Sequence, residues 1–86
     1  MQVDEGVSAE VVTRLRRVEG QIGGIARMIE SGRSCDEVVT QLAAAARALD
    51  RVGFKIIASG IRQCATGAGP AEASQEQLEK LFLSLA

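Results

Sequence analysis

Apolar residues recur in the first third of the chain at alternating steps of four and three positions, which is the period of one face of an amphipathic α-helix. The pattern predicts a first helix over about residues 9–31, with Ser8 as its N-cap and Gly32 just beyond its end. The apolar stripe of this helix consists of Val11, Leu15, Val18, Ile22, Ile25 and Ile29.

The middle of the chain predicts one long helix. Ser34 and Glu37 have the spacing of a capping box, so Cys35 is the predicted first helical residue. No proline or capping signal interrupts the chain until a segment that contains glycine and proline. A second capping-box spacing, which begins at Ser74, predicts a short third helix. The predicted boundaries are about 35–65 for helix 2, 66–73 for the linker and 74–85 for helix 3.

All three patterns are helical and none alternates like a strand, so we expect one all-α domain over residues 1–86. Of the 86 residues, 47% are apolar, which is more than a small monomer buries easily, and we therefore expect an oligomer. The N-terminus has no signal-peptide pattern, and no apolar run is long enough for a membrane span. We expect a cytoplasmic protein without a membrane partner.

The chain contains two cysteines and no histidine. The lack of histidine removes the commonest general base and the commonest metal ligand, and two cysteines cannot complete a structural zinc site within one chain. A histidine-dependent catalytic triad and a hydrolytic zinc site are therefore excluded. In a cytoplasmic protein, a pair of cysteines is typically free or redox-active rather than a permanent disulfide.

Cys35 and Cys64 lie on one apolar stripe of the predicted second helix. Their 29-residue separation corresponds to about 43 Å along a continuous helix, so they cannot meet within one chain. If two copies pack antiparallel about a twofold axis between Leu49 and Asp50, Cys35 faces Cys64 of the partner subunit at each end of the interface. A parallel pairing would bring identical residues together instead. Between the cysteines, the stripe runs through Val39, Leu42, Ala46, Leu49, Gly53, Ile56 and Gly60.

The position of Cys35 at the start of a helix affects its chemistry. Unpaired backbone N–H groups and the positive end of the helix dipole favour the thiolate, so we expect Cys35 to be the nucleophilic thiol. Arg33 adds to this effect, whereas Asp36 and Glu37 oppose it. Cys64 lies near the other end of the helix and is expected to be the resolving thiol. Two inert, buried cysteines are the alternative.

The formal net charge of −1 results from an uneven distribution. Residues 11–66 hold nine Arg or Lys against five Asp or Glu, whereas both ends are acidic. Arginine-rich helices bind the phosphate backbone of nucleic acids, so we expect a DNA interface that uses no helix-turn-helix. Solvated, salt-bridged helix faces are the alternative for any single residue. The candidate DNA-binding residues are Arg14, Arg16, Arg17, Arg47, Arg51 and Lys55.

Two segments, RLRRVEGQIGGI from Arg14 and CDEVVTQ from Cys35, resemble the CsoR/RcnR family of copper-sensing and nickel/cobalt-sensing repressors. The resemblance extends over nearly the whole chain. It implies an all-helical protein that forms antiparallel dimers, assembles into tetramers and represses transcription by binding operator DNA. It also implies that Cys35, at the start of the second helix, pairs with residues late in the second helix of the partner.

One position departs from the copper-sensing members, which have a histidine four residues before the second cysteine. This position is Gly60 here. The remaining pair, Cys35 and Cys64, resembles the persulfide-sensing, CstR-like branch. The resemblance implies that a persulfide or polysulfide modifies Cys35, that Cys64 of the partner subunit then forms a disulfide or polysulfide bridge, and that operator DNA is released. Because the protein is modified without turnover, the resemblance implies neither an enzyme nor a bound cofactor.

Two other functions are consistent with the same residues. A Cu(I)-responsive repressor would use Cys35 and Cys64 as thiolate ligands, which Cu(I) accepts. A helical thiol-switch protein that does not bind DNA would use the same cysteines with another partner. A thiol oxidoreductase ranks last, because the chain has neither a C-x-x-C motif nor a histidine base.

Overall fold

The computed structural model describes residues 2–66 and 75–86 and, within them, the side chains of residues 2–63 and 76–86. The described part forms three α-helices and no strand, which confirms the expected all-α class. The predicted linker and Ser74 lie outside the described residues, except for Thr66, which ends the second helix. The helices are α1 (Glu5–Glu30), α2 (Cys35–Thr66) and α3 (Gln75–Leu85).

Helix α1 begins at Glu5 rather than at about residue 9, and the prediction of Ser8 as its N-cap is wrong. Asp4 occupies the N-cap position, and its carbonyl oxygen accepts hydrogen bonds from the N–H groups of Val7 and Ser8 at 3.0 and 2.9 Å. Val7 is buried in a cluster with Val11 and Val52. This apolar contact extends the helix beyond the stripe from which its start was predicted.

The end of α1 follows the local sequence. Gly32 has a φ of 78°, in the left-handed region that glycine adopts without strain. Its N–H donates to the carbonyl oxygen of Ile29 at 3.1 Å, and the N–H of Arg33 donates to that of Met28 at 3.0 Å. These two bonds form a Schellman motif, which satisfies the last carbonyl groups of the helix.

Helix α2 begins directly after this turn. The carbonyl oxygen of Ser34 accepts a hydrogen bond from the N–H of Val38 at 3.1 Å, which places Ser34 at the N-cap and Cys35 at the first helical position. The helix then runs without interruption to Thr66. The turn therefore joins α1 to a helix that runs back along its full length.

The contact between α1 and α2 uses only half of the apolar stripe predicted for α1. Along this contact, buried residues recur at intervals of seven positions on each helix. One apolar cluster joins the start of α1 to the second half of α2, and another joins the end of α1 to the first half of α2, as antiparallel packing requires. The buried heptad residues are Val11, Val18 and Ile25 on α1 and Val38, Ala45 and Val52 on α2.

Helix α3 packs on α2 and, among the described residues, has no close backbone contact with α1. Leu78 is fully buried, and burial of a leucine side chain contributes about 1.5–3 kcal/mol. The rings of Phe54 and Phe82 have centroids 5.1 Å apart and are tilted by 46°. The described part of the chain measures 52 × 24 × 14 Å, and none of its helices is long and apolar enough to cross a membrane.

Candidate functional site

The hairpin of α1 and α2 has an apolar side and a polar side. Each residue advances by about 100° around a helix. In two antiparallel helices, the residues one or four positions after the buried heptad residues therefore project to the same side of the hairpin. On this side, six large apolar residues are 39% to 61% exposed. These residues, here called the apolar face, are Leu15, Ile22 and Ile29 on α1 and Val39, Leu42 and Leu49 on α2.

Cys35 is the first residue of α2, and its thiol is free and exposed. Cys64 lies in the same helix, because α2 continues to Thr66. The structure describes the backbone of Cys64 but not its side chain. A continuous helix holds residues with this separation about 43 Å apart. The two thiols therefore cannot react with each other within one chain.

Two carboxylates and a guanidinium group surround the start of α2. The Nε of Arg33 donates a hydrogen bond to Oε2 of Glu37 at 2.7 Å. This bond, together with one from the Ser34 hydroxyl, holds the pKa of Glu37 below its ordinary value, and the Ser34 hydroxyl also lowers the pKa of Asp36. Both carboxylates are therefore ionised at neutral pH, and Glu37 compensates the charge of Arg33.

The polar side of the hairpin carries a cavity lined by three arginine residues. Arg14 and Arg17 on α1 and Arg51 on α2 surround a space of about 170 Å³, together with Gln21. Apolar atoms of Val18 and Ala48 complete its lining. Guanidinium groups donate several hydrogen bonds in a fixed plane and match the oxygens of a phosphate group. The cavity is therefore a candidate anion site.

A carboxylate connects a fourth cation to this cavity. The Oε1 of Glu10 lies 3.0 Å from Nζ of Lys55 and 3.2 Å from Nη2 of Arg14. Hydrogen bonds from Lys55, chiefly, and from Arg14 lower the pKa of Glu10. Here Arg14, Arg17, Arg51 and Lys55 are called the basic groove. Glu10 was not predicted as a partner of these cations, although its four-residue spacing from Arg14 is a typical ion-pair signal.

The other two candidate DNA-binding residues lie apart from the basic groove. The Nη1 of Arg16 lies 3.4 Å from Oε1 of Glu19, and both side chains are at least 70% exposed. Arg47 is exposed on α2 and forms no ion pair with any described residue. Neither residue lines the arginine cavity. The fold therefore brings together four of the six predicted cations and separates Arg16 and Arg47 from them.

The donor atoms around α2 limit the kind of metal that the chain can hold. Within the described part, no three Cys, Asp or Glu side chains form a group suited to a metal ion. Gly60, where the resemblance to copper sensors leads one to expect a histidine, is buried and has no side-chain donor. Among the described side chains, the exposed thiol of Cys35 is a soft donor of the kind that Cu(I) accepts.

Known proteins resemble the chain over most of its length. Residues 8–85 match the family model described as "Metal-sensitive transcriptional repressor". The copper-sensing transcriptional repressor RicR of Mycobacterium tuberculosis is 47% identical over 55 residues, which are 64% of this chain and 57% of RicR. The copper-sensing transcriptional repressor CsoR of Bacillus subtilis is 26% identical over 73 residues, 85% of this chain and 72% of CsoR. No solved structure gives a significant match.

Proposed function

This chain belongs to the metal-sensitive transcriptional repressor family, and from this premise we propose that it is a DNA-binding repressor controlled by two thiols, Cys35 of one protomer and Cys64 of the partner subunit. The observation that carries the proposal is the unbroken helix α2, which contains both cysteines and holds them about 43 Å apart. The family resemblance is confirmed, and its persulfide-sensing branch stays a prediction.

The apolar face supports an antiparallel homodimer. Contiguous exposed apolar surface on a small protein marks an interaction site, and here it extends over two helices. A second copy covers it when the α2 helices pair about a twofold axis beside Leu49 and Asp50. Cys35 then lies opposite Cys64 of the partner subunit at both ends. Two dimers pair into a tetramer, for which the exposed Leu83 of α3 offers further apolar surface.

The basic groove supports operator binding. It lies on the polar side of the hairpin, so it stays accessible when the apolar face is buried between protomers. Four cations on two packed helices present N–H donors to phosphate groups, and such contacts supply a large share of the affinity of a protein for DNA. The twofold axis of a dimer places two such grooves in symmetric positions, as a palindromic operator requires.

Reactive sulfur is the effector that we propose first, because Gly60 removes the third ligand of a copper site. The Cys35 thiolate attacks the outer sulfur of a persulfide, RSSH, which gives a protein persulfide and releases RSH. Cys64 of the partner subunit then attacks the inner sulfur, which forms a disulfide and releases H₂S. The two protein thiols are oxidised and the persulfide is reduced, so no further oxidant is needed. The covalent bridge changes the arrangement of the two protomers, and the dimer releases DNA.

Cu(I) is the second candidate effector, and the names of the two copper-sensing relatives favour it. Cys35 and Cys64 of the partner subunit would hold the ion between two thiolates. Such a site lacks a third donor at Gly60, so its geometry would differ from the Cys-His-Cys site implied for copper sensors. Binding of Cu(I) would link the same two ends of the α2 helices without a covalent sulfur bridge.

One experiment separates these effectors. The protein selects a duplex from a random-sequence pool, and binding of that duplex is then measured after separate treatment with sodium tetrasulfide or Cu(I), without reductant. Intact-protein mass spectrometry is run on the same samples. We expect tetrasulfide to join two protomers through Cys35 and Cys64 and to release the duplex.

The cysteine variants act as matched controls. Cys64→Ser should accumulate one added sulfur atom on Cys35 without a cross-link, and Cys35→Ser should stay bound to DNA after treatment. Release by Cu(I) alone, without a sulfur adduct, would establish the copper function instead. Failure to select any duplex would refute the repressor function and favour a thiol switch that acts on another partner.

A further inference from the structure

Glu10 occupies an unusual place for an acidic residue, since it lies within the groove whose other charged groups are cations. A single oxygen, Oε1, contacts Lys55 on α2 at 3.0 Å and Arg14 on α1 at 3.2 Å. Arg17 and Arg51, the other two residues of the basic groove, form no ion pair with any described residue. Two of the four cations are therefore paired with Glu10, and the other two are available to an external anion.

We infer that Glu10 is a built-in competitor of the DNA phosphate: its carboxylate holds Arg14 and Lys55 in the free protein, and a backbone phosphate displaces it when DNA binds. The inference rests on the proposed DNA-binding function and adds a residue that controls it. Arg17 and Arg51 capture a first phosphate, and displacement of Glu10 then makes the other two cations available.

The geometry favours competition over a purely structural role. The Glu10 side chain is 47% exposed and that of Lys55 is 34% exposed, so solvent and ligands reach both. Exposed ion pairs contribute little to stability, because water solvates the separated charges nearly as well. A carboxylate and a phosphate group accept hydrogen bonds from the same N–H donors, and the phosphate group has more acceptor atoms. The pair is therefore easily opened by an incoming phosphate.

The consequence is a lower and less salt-sensitive affinity for DNA than four free cations would give. Each additional neutralised phosphate makes the slope of log K against log salt concentration steeper by about 0.9. At 150 mM salt, one additional neutralised phosphate corresponds to an affinity change of about fivefold. Removal of the Glu10 charge is expected to have an effect of this size.

The test compares Glu10→Gln with Glu30→Gln in the full-length protein. Both variants lose one negative charge from α1, but Glu30 forms no ion pair with the described residues. Affinity for a duplex that the wild-type protein selects from a random pool is measured at several salt concentrations. We expect about fivefold tighter binding and a slope steeper by about 1 for Glu10→Gln, and a smaller change for Glu30→Gln. Equal effects of the two variants, or weaker binding by Glu10→Gln, would overturn the inference.

A double-mutant cycle tests whether Glu10 acts through its contacts. In a Lys55→Gln background the gain from Glu10→Gln should shrink, because one of the two compensated cations is already absent. An undiminished gain would show that Glu10 acts only through its long-range charge and would refute the competition. The proposed function fails separately, if the wild-type protein itself selects no duplex. Circular dichroism of each variant verifies that the helices are retained.

Discussion

The side chain of Leu85 on α3 fills the space beside Gly53 of α2, where a Cβ atom would collide with its methyl group. Gly53 belongs to the α2 stripe from which the dimer was predicted, so α3 covers part of that stripe within one protomer. The buried Leu78 and the ring contact between Phe54 and Phe82 hold α3 in place. This approach explains a glycine within a helix, where it costs about 1 kcal/mol relative to alanine.

A larger residue at position 53 should displace the end of α3. Gly53→Leu overpacks the contact with Leu85, which costs about 1–3 kcal/mol and should accelerate amide hydrogen exchange in residues 81–86. The measurement is hydrogen exchange followed by mass spectrometry. Leu85→Ala in the same chain removes the collision and should restore slow exchange. Unchanged exchange in Gly53→Leu would contradict the packing.

A charge on the apolar face should weaken the dimer. In the proposed antiparallel dimer, Leu49 faces Asp50 of the partner subunit, so Leu49→Glu would place like charges together in a desolvated interface. Sedimentation velocity over a concentration series should show dimer dissociation that is at least about tenfold easier. Ala58→Glu adds the same charge to an exposed position on the other side of α2 and should leave the assembly intact. Equal effects of both variants would refute the interface.

A histidine at position 60 should strengthen Cu(I) binding. Gly60→His adds an imidazole donor one helical turn before Cys64, and we expect a Cu(I) affinity that is at least about tenfold higher, because even outer-shell partners alter metal affinity by this amount. The measurement is a competition titration with a Cu(I) chelator. Ala58→His, on the other side of α2, is the control. No gain in Gly60→His relative to this control would show that position 60 does not adjoin the thiols.

Acid should destabilise the protein through its paired carboxylates. The pKa values of Glu10, Asp36 and Glu37 are lowered in the folded chain. The unfolded chain therefore takes up protons at a higher pH, so the contribution of these groups is complete at neutral pH and is lost as pH falls through the folded pKa values. Thermal unfolding between pH 7 and pH 3 should show this decline.

The matched variant for this pH dependence is Glu37→Gln, which removes the partner of Arg33. Its midpoint should fall less between pH 7 and pH 3 than that of the wild-type protein. Glu30→Gln, which removes a carboxylate without an ion pair, should follow the wild-type decline more closely. An identical decline in all three proteins would show that the ion pair with Arg33 does not contribute.

The candidate site was only partly predictable. The positions of Cys35 and of the cations on their helices follow from helical periodicity, and the separation of the two cysteines follows from the length of α2. Helical periodicity does not determine which acidic residues pair with these cations. The packing of α1 on α2 places Glu10 beside Lys55, a residue 45 positions later in the chain.

Local chemistry in the sequence determined where the helices change direction. The left-handed φ of Gly32 and the cap at Ser34 involve atoms only a few residues apart, so the first helix ends and α2 begins at Cys35 as predicted. The tertiary structure decided which half of the α1 stripe is buried, the earlier start of α1 through Val7, and the contacts of Glu10 with Lys55 and of Leu85 with Gly53. These depend on the rotation and register of packed helices, which join residues far apart in the chain, and no local pattern specifies them.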